Sequence, residues 1–245
     1  MRPLSTLDRR AVLRALSLAP LAILPSGLAA QAETAGLITT DVCLLQKELT
    51  EGPFYLDPKL VRVDITEGRA GSPMQLRLQV VTGDCAPIVG ARVDVWHCDA
   101  QGVYSGVKNL GGGIDAEGQT FLRGTQFTDA TGIVTFQTIF PGWYSGRTTH
   151  VHYKVFLDDT TVLTSQIFFD EAVNQAIYAD DESYARPNAR DKLNAQERIA
   201  TNAGKGGYAQ VKMTEPDGVM EAALVVGISP EGDSSGLLDW LLKKT

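Results

Sequence analysis

The sequence predicts an all-β fold, an antiparallel β-sandwich with irregular or helical C-terminal excursions. Apolar and polar residues alternate with period two along several short runs, turn residues separate those runs, and the stretch from Glu171 to Asn202 lacks the alternation. Leu76, Leu78 and Val80 alternate with Arg77 and Gln79 as a first strand. Gly83-Asp84 then opens a turn before Ala91 to Trp96, which alternates again. Gln119 to Arg123, Ile133 to Ile139, Thr149 to Leu157 and Val162 to Phe169 repeat the pattern, with Asp129-Ala130-Thr131-Gly132 and Asp158-Asp159 as turns. Glu171 to Asn202, rich in Ala, Asp, Glu and Asn, reads as helical or irregular. Pro216-Asp217-Gly218 makes a hairpin between Tyr208 to Met213 and Val219 to Ile228, and Leu237 to Leu242 reads as a short docking helix. Each alternating strand has one face to bury, so two packed sheets are expected.

Residues 1–32 read as addressing information and residues 33–245 as the folded domain. Asp8-Arg9-Arg10-Ala11-Val12-Leu13-Arg14 looks like a twin-arginine motif, a mildly apolar run follows to Leu24, and Ala30-Gln31-Ala32 offers a cleavage site before Glu33. The apolar run is too short for a stable membrane span, which takes about 20 residues. The expectation is a precursor carried by the twin-arginine export machinery to the periplasm or beyond. The full chain has a net charge of −7; residues 1–32 hold Arg2, Arg9, Arg10 and Arg14 against Asp8, so the rest carries −10. Such an acidic domain is a poor partner for nucleic acid or an anionic membrane.

An oxidising compartment favours one disulfide among Cys43, Cys85 and Cys98, and three pairings are possible. Cys98 lies on the strand that carries Trp96 and reads as a small buried residue. Cys43 and Cys85 fall outside clear strand patterns and are the expected pair.

Two of the chain's three histidines stand as His150-Val151-His152 at the head of an alternating strand, six residues after Tyr144. Side chains at i and i+2 of a strand project to the same face, so this pair can hold one ion between them while Val151 and Tyr153 face the other way. No HExxH motif, CxxC motif or cysteine cluster accompanies them, which argues against zinc. Tyrosines flank the site instead. A phenol with a reference pKa of about 10 becomes a good ligand only beside a strongly polarising cation. Hard anionic oxygen with imidazole makes ferric iron the natural candidate, although ligand type alone never fixes the metal.

A second tyrosine, Tyr104, follows the Trp96 strand in the Gly-containing loop Asp99-Ala100-Gln101-Gly102-Val103-Tyr104. With it the chain resembles the intradiol ring-cleavage dioxygenases, the catechol 1,2-, hydroxyquinol 1,2- and protocatechuate 3,4-dioxygenases. Four stretches match in order: Thr50-Glu51-Gly52-Pro53-Phe54-Tyr55, Trp96 to Tyr104, Pro141 to His152, and Gln166 within Leu163 to Phe169. The resemblance implies one non-haem Fe(III) per subunit bound by Tyr104, Tyr144, His150 and His152. Arg147 and Gln166 then stand behind these ligands against the substrate, and Pro53 and Phe54 border its pocket. It further implies that O2 cleaves a catechol-type ring between its two hydroxyl-bearing carbons to a cis,cis-muconate-type diacid. In this scheme Tyr144 helps take up a substrate proton. The always-charged, planar guanidinium of Arg147 suits a fixed contact to developing negative charge. The short stretch before Thr50 leaves no room for the N-terminal helical region of the cytoplasmic catechol enzymes and moves the resemblance toward a compact, exported branch or a protocatechuate-type subunit.

Taken singly, these residues have ordinary readings. A loop tyrosine is usually a half-buried aromatic, Arg147 a solvated charge and Gln166 a strand amide bonded to backbone. His97 keeps its ordinary reading as a hydrogen-bonded strand histidine. The joint spacing carries the inference. The alternative is an exported sandwich that binds iron or carbohydrate without ring cleavage, and the placing of Arg147 and Gln166 beside the ligands favours chemistry.

Overall fold

The computed structural model describes residues 45–57, 59–108, 115–158, 160–214 and 219–229. The proposed signal segment, Cys43, the Pro216-Asp217-Gly218 turn and Leu237 to Leu242 lie outside them. The strands are β1 (Pro73–Thr82), β2 (Arg92–Trp96), β3 (Arg123–Phe127), β4 (Ile133–Ile139), β5 (His150–Leu157), β6 (Thr160–Phe168), β7 (Gln210–Thr214) and β8 (Val219–Ile228). They form two four-stranded sheets, ordered β4-β1-β8-β7 and β3-β2-β5-β6. Helices α1 (Glu171–Asp180) and α2 (Arg198–Ala203) occupy the stretch whose alternation fails. Among the described residues no helix is long and apolar enough to cross a membrane.

The alternation decides the packing. Leu76, Leu78 and Val80 of β1, Val134 and Phe136 of β4, and Ala222, Leu224 and Val226 of β8 turn their apolar side chains inward. They meet Val93 and Val95 of β2, Val151, Tyr153 and Val155 of β5, and Ile167 of β6 in one buried cluster. Burying this apolar surface between two sheets is what holds the sandwich together.

Two details differ from the sequence reading. β3 begins at Arg123, so the expected strand from Gln119 to Arg123 is displaced toward the C-terminus. Leu122 adopts φ +57° and turns the chain there, and Gly124 serves the new strand because a Cβ would collide with Ile65. The second difference is a parallel pair, β1 with β8, in sheets whose other pairs are antiparallel. Parallel neighbours need a long crossover, and here the second sheet and both helices supply it. Cys85 is disulfide-bonded while Cys98 is a free, buried thiol. This fits the expectation for Cys98.

The second sheet keeps polar and aromatic residues on its outer face. Arg123 pairs with Trp96, Trp96 with His152, and His152 with Gln166, so the four stand in one transverse row across β3, β2, β5 and β6. Directly opposed residues share a face. Loops and the 50–55 segment cover this row so thoroughly that all four are 2% exposed or less.

Candidate metal centre

His150 and His152 leave β5 on that outer face, as alternation requires, and Val151 and Tyr153 enter the core. Their Nε2 atoms lie 3.1 Å apart. Two imidazole nitrogens about 2.0–2.1 Å from one ion, at ordinary ligand angles, stand about 3.0–3.4 Å apart. The His150 tautomer is fixed by its own turn: Nδ1–H donates to the Thr148 carbonyl at 2.7 Å, which leaves the Nε2 lone pair facing the site. His152 stacks flat on Trp96, with centroids 4.9 Å apart and planes 8° from parallel. Gly52, with φ +69°, lets the 50–55 segment approach the edge of that imidazole, where even a Cβ would sit 3.4 Å from Cε1.

Two loops bring the tyrosines. After β2, Asp99 Oδ1 accepts from Gln101 and Val103 backbone N–H groups, closing the turn that presents Tyr104. The Tyr104 hydroxyl lies 3.3 Å from His150 Nε2. The loop after β4 carries Tyr144, whose hydroxyl takes a 3.2 Å hydrogen bond from Arg147. The loops interlock through their glycines. A Cβ at Gly102 would fall inside contact distance of the Trp143 carbonyl, and one at Gly142 inside that of the Asp99 and Ala100 carbonyls. Arg186 bonds Gln101 and Trp143 carbonyls together and lies over the Trp143 ring at 3.5 Å. Arg123 ties the Tyr104 loop to the 50–55 segment by donating to the Ser105 and Phe54 carbonyls, both at 2.7 Å from its NH groups.

Arg147 gathers the rest. Its guanidinium donates to Tyr144, to Gln166 Oε1 and to Glu197, and it lies 3.3 Å from His150 Nε2. Gln166 in turn donates to the Thr50 carbonyl at 2.7 Å, fastening the matching N-terminal stretch to β6. Phe54 packs on Tyr104 with centroids 4.7 Å apart and meets Tyr144 edge-on, while Pro53 stands exposed beside it.

Charge at the site is set mainly by burial. It pushes the Tyr104 phenol well above its ordinary value and raises that of Tyr144, with Arg147 pulling both the other way. The same burial, joined by the charge of Arg147, holds His150 and His152 far below the usual histidine range, as neutral imidazoles. Two neutral imidazoles with facing Nε2 atoms and two phenols that only a cation would deprotonate suit a hard, highly charged metal ion. Among the described residues no group of three His, Cys, Asp or Glu side chains gathers elsewhere.

The structure thus brings together Tyr104, Tyr144, His150, His152, Arg147, Gln166 and Phe54. His97 stands apart: Nδ1 bonds the Cys98 carbonyl at 2.8 Å and Nε2 the Thr138 hydroxyl at 2.7 Å. Sequence reasoning missed Glu197, Arg123 and Arg186. None lies in a matching stretch, and each acts across 18 to 85 positions of sequence.

Comparison with known proteins gives the family. The family model described as "Dioxygenase" matches residues 51–212, more than half of the chain. The chain is 30% identical over 141 residues to chlorocatechol 1,2-dioxygenase of Pseudomonas sp. strain P51, covering 49% of this chain and 54% of that one. It is 28% identical over 158 residues to catechol 1,2-dioxygenase 1 of Acinetobacter lwoffii, at 55% and 49% coverage. The chain therefore spans about half the length of the curated relatives it matches. Among solved structures, an intradiol ring-cleavage dioxygenase of Tetranychus urticae superposes with a TM-score of 0.71 and 33% identity, over 77% of this chain and 96% of that one. A 3-chlorocatechol 1,2-dioxygenase of Rhodococcus opacus shares the fold at 18% identity, with a TM-score of 0.54 over 80% and 76% of the two chains. The fold and site define an intradiol-type β-sandwich dioxygenase. The chain belongs to the intradiol ring-cleavage dioxygenase family.

Proposed function

We propose that this protein is a non-haem Fe(III) enzyme that opens a catechol-type ring between its two hydroxyl-bearing carbons, using O2, to a cis,cis-muconate-type diacid. The observation that carries this reading is the convergence of Tyr104 Oη, Tyr144 Oη, His150 Nε2 and His152 Nε2 beneath the guanidinium of Arg147. A pure iron carrier has no use for a charged guanidinium aimed at its ligands and held by a buried amide.

In this reading those four side chains hold the ion. A bound ferric ion supplies charge, so that phenols and a catechol can give up their protons and electron density is drawn from the substrate toward oxygen. The chain does the rest. Tyr144, less buried than Tyr104, accepts a proton from a substrate hydroxyl. Arg147, planar and permanently charged, faces the substrate oxygens and holds developing negative charge. Gln166 keeps that guanidinium in place from β6, and Phe54 offers the ring an apolar wall beside Tyr104.

The test is optical and respirometric. The iron-loaded protein should be coloured by tyrosinate-to-iron charge transfer, change its visible band with catechol without air, and consume oxygen when air is admitted. A coloured protein that consumes none with a panel of substituted catechols is a carrier, and a colourless one rejects the ligand set. We further propose that residues 1–32 direct twin-arginine export before the 33–245 domain acts in the periplasm or outside the cell. Replacing Arg9 and Arg10 together by Lys should strand the precursor in the cytoplasm, and unchanged periplasmic activity would remove this route.

A further inference from the structure

We infer that Glu197 is a positioning residue for the reaction proposed above, the group that fixes the guanidinium of Arg147 relative to substrate. The inference rests on that reading of the site. Arg147 offers its NH1 edge to Tyr144 Oη and His150 Nε2, at 3.2 and 3.3 Å, and its NH2 to Gln166. Its third nitrogen, Nε, donates to Glu197 Oε1. The same oxygen faces the backbone N–H of Thr148 at 3.4 Å. Glu197 is 6% exposed, and its other oxygen, Oε2, is buried with no hydrogen-bond partner among the described residues.

A carboxylate with one oxygen buried and unpaired is costly. Its retention is explained by what the paired oxygen does. Three of the four guanidinium contacts involve groups that a substrate would disturb or lean on. Tyr144 is the ligand proposed to take a proton, His150 is proposed to be committed to the ion, and the Gln166 amide also holds the Thr50 carbonyl. The Glu197 contact is the ion pair among the four, and its partner is not one of the four proposed ligands. A charge-assisted bond at Nε sets the guanidinium plane and keeps it set when the Tyr144 oxygen takes up a proton.

The fold makes this anchor rigid. Asn194, three residues before Glu197, accepts the Thr148 hydroxyl at 2.6 Å, donates to the Phe169 carbonyl at 2.7 Å, and has its backbone N–H on Glu171 at 3.1 Å. The 194–197 segment thus seizes both the side chain and the backbone of the residue next to Arg147. The helical excursion of the C-terminal half is in this way wired to the centre.

The experiment is a double-mutant cycle on the iron-loaded, full-length protein. Glu197→Gln keeps shape and an acceptor oxygen but removes the charge, and should lower kcat/KM for catechol about tenfold with iron content and the tyrosinate band unchanged. In an Arg147→Leu background the same change should cost nothing further, because Glu197 acts only through Arg147. Glu197→Asp, which keeps charge but withdraws it by one methylene, should fall between wild type and Glu197→Gln; if Glu197→Gln fails to fold, a loss in Glu197→Asp at intact colour supports the role. Wild-type kcat/KM in Glu197→Gln, or losses that simply multiply in the double variant, overturn it. Absence of oxygen uptake by the wild type with any catechol instead overturns the proposed reaction, and this role with it.

Discussion

At the scale of single residues the proposed site separates binding from electrostatics. Tyr104→Phe or His150→Ala should abolish the colour and most bound iron, since each removes one of four donors that converge with Nε2 atoms 3.1 Å apart; full iron occupancy in both variants would exclude them as ligands. Arg147→Leu should do the reverse. It should keep iron and colour while kcat falls by about two orders of magnitude, the scale seen when one preorganised charge-stabilising donor is lost, and Lys should rescue only in part because a point charge does not reproduce a planar fork. His97 allows a test of pH. Burial pushes it down to about 4 from 6.5, so the folded protein binds fewer protons than the unfolded chain between those values. Stability is therefore complete above about pH 6.5 and falls as pH drops toward 4, by about 3 kcal/mol from this residue. In His97→Gln, whose amide can replace both hydrogen bonds, that part of the acid slope should vanish in urea unfolding curves measured at successive pH values.

At the scale of elements, the candidate centre is made by a strand that supplies two imidazoles by periodicity and two loops that supply one phenol each by interlock. β5 needs only its alternation to aim both histidines outward. The loops need Gly102, at φ +83°, and Gly142 to pass within carbonyl contact of each other. Gly102→Ala should cost about 1–3 kcal/mol in left-handed strain alone, and more through collision with the Trp143 carbonyl. Iron bound per chain should fall with it, because the tyrosine loops must part. Thermal unfolding together with iron analysis checks this, and a variant as stable and as coloured as wild type would show that the loops are not a single unit.

At the scale of the whole molecule, the sandwich core and the candidate metal centre lie on opposite faces of one sheet. Val151, Tyr153 and Val155 belong to the core, and His150 and His152 to the centre. Binding to the folded state alone stabilises by mass action, about 2.7 kcal/mol when free ligand is a hundredfold above Kd. For a domain of this size that is a rise in Tm of about 5–10 °C. Stripping the iron should lower Tm by that order in wild type and leave Tm of His150→Ala where it was. Equal melting of loaded and stripped wild type would place the ion outside the folded site.

What the sequence determined by itself is everything that depends on short-range order. Alternation assigned Val151 and Tyr153 to the core and His150 and His152 to the other face, because side chains on a strand have a period of two. The Tyr-x-x-Arg-x-x-His-x-His run and the upstream Glu-Gly-Pro-Phe-Tyr segment were enough to read the family. The start of β3 was misplaced because Leu122 carries a left-handed turn that a leucine rarely signals. Only the tertiary structure decided which distant groups hold the site. It set Arg123, Trp96, His152 and Gln166 in one row through strand register, joined β1 to β8 in parallel, and brought Glu197 and Arg186 onto the loops from a stretch without pattern. The physical reason is that register and long loop closure are fixed by the packing of whole sheets, whereas a sequence records only which face of each strand prefers to be dry.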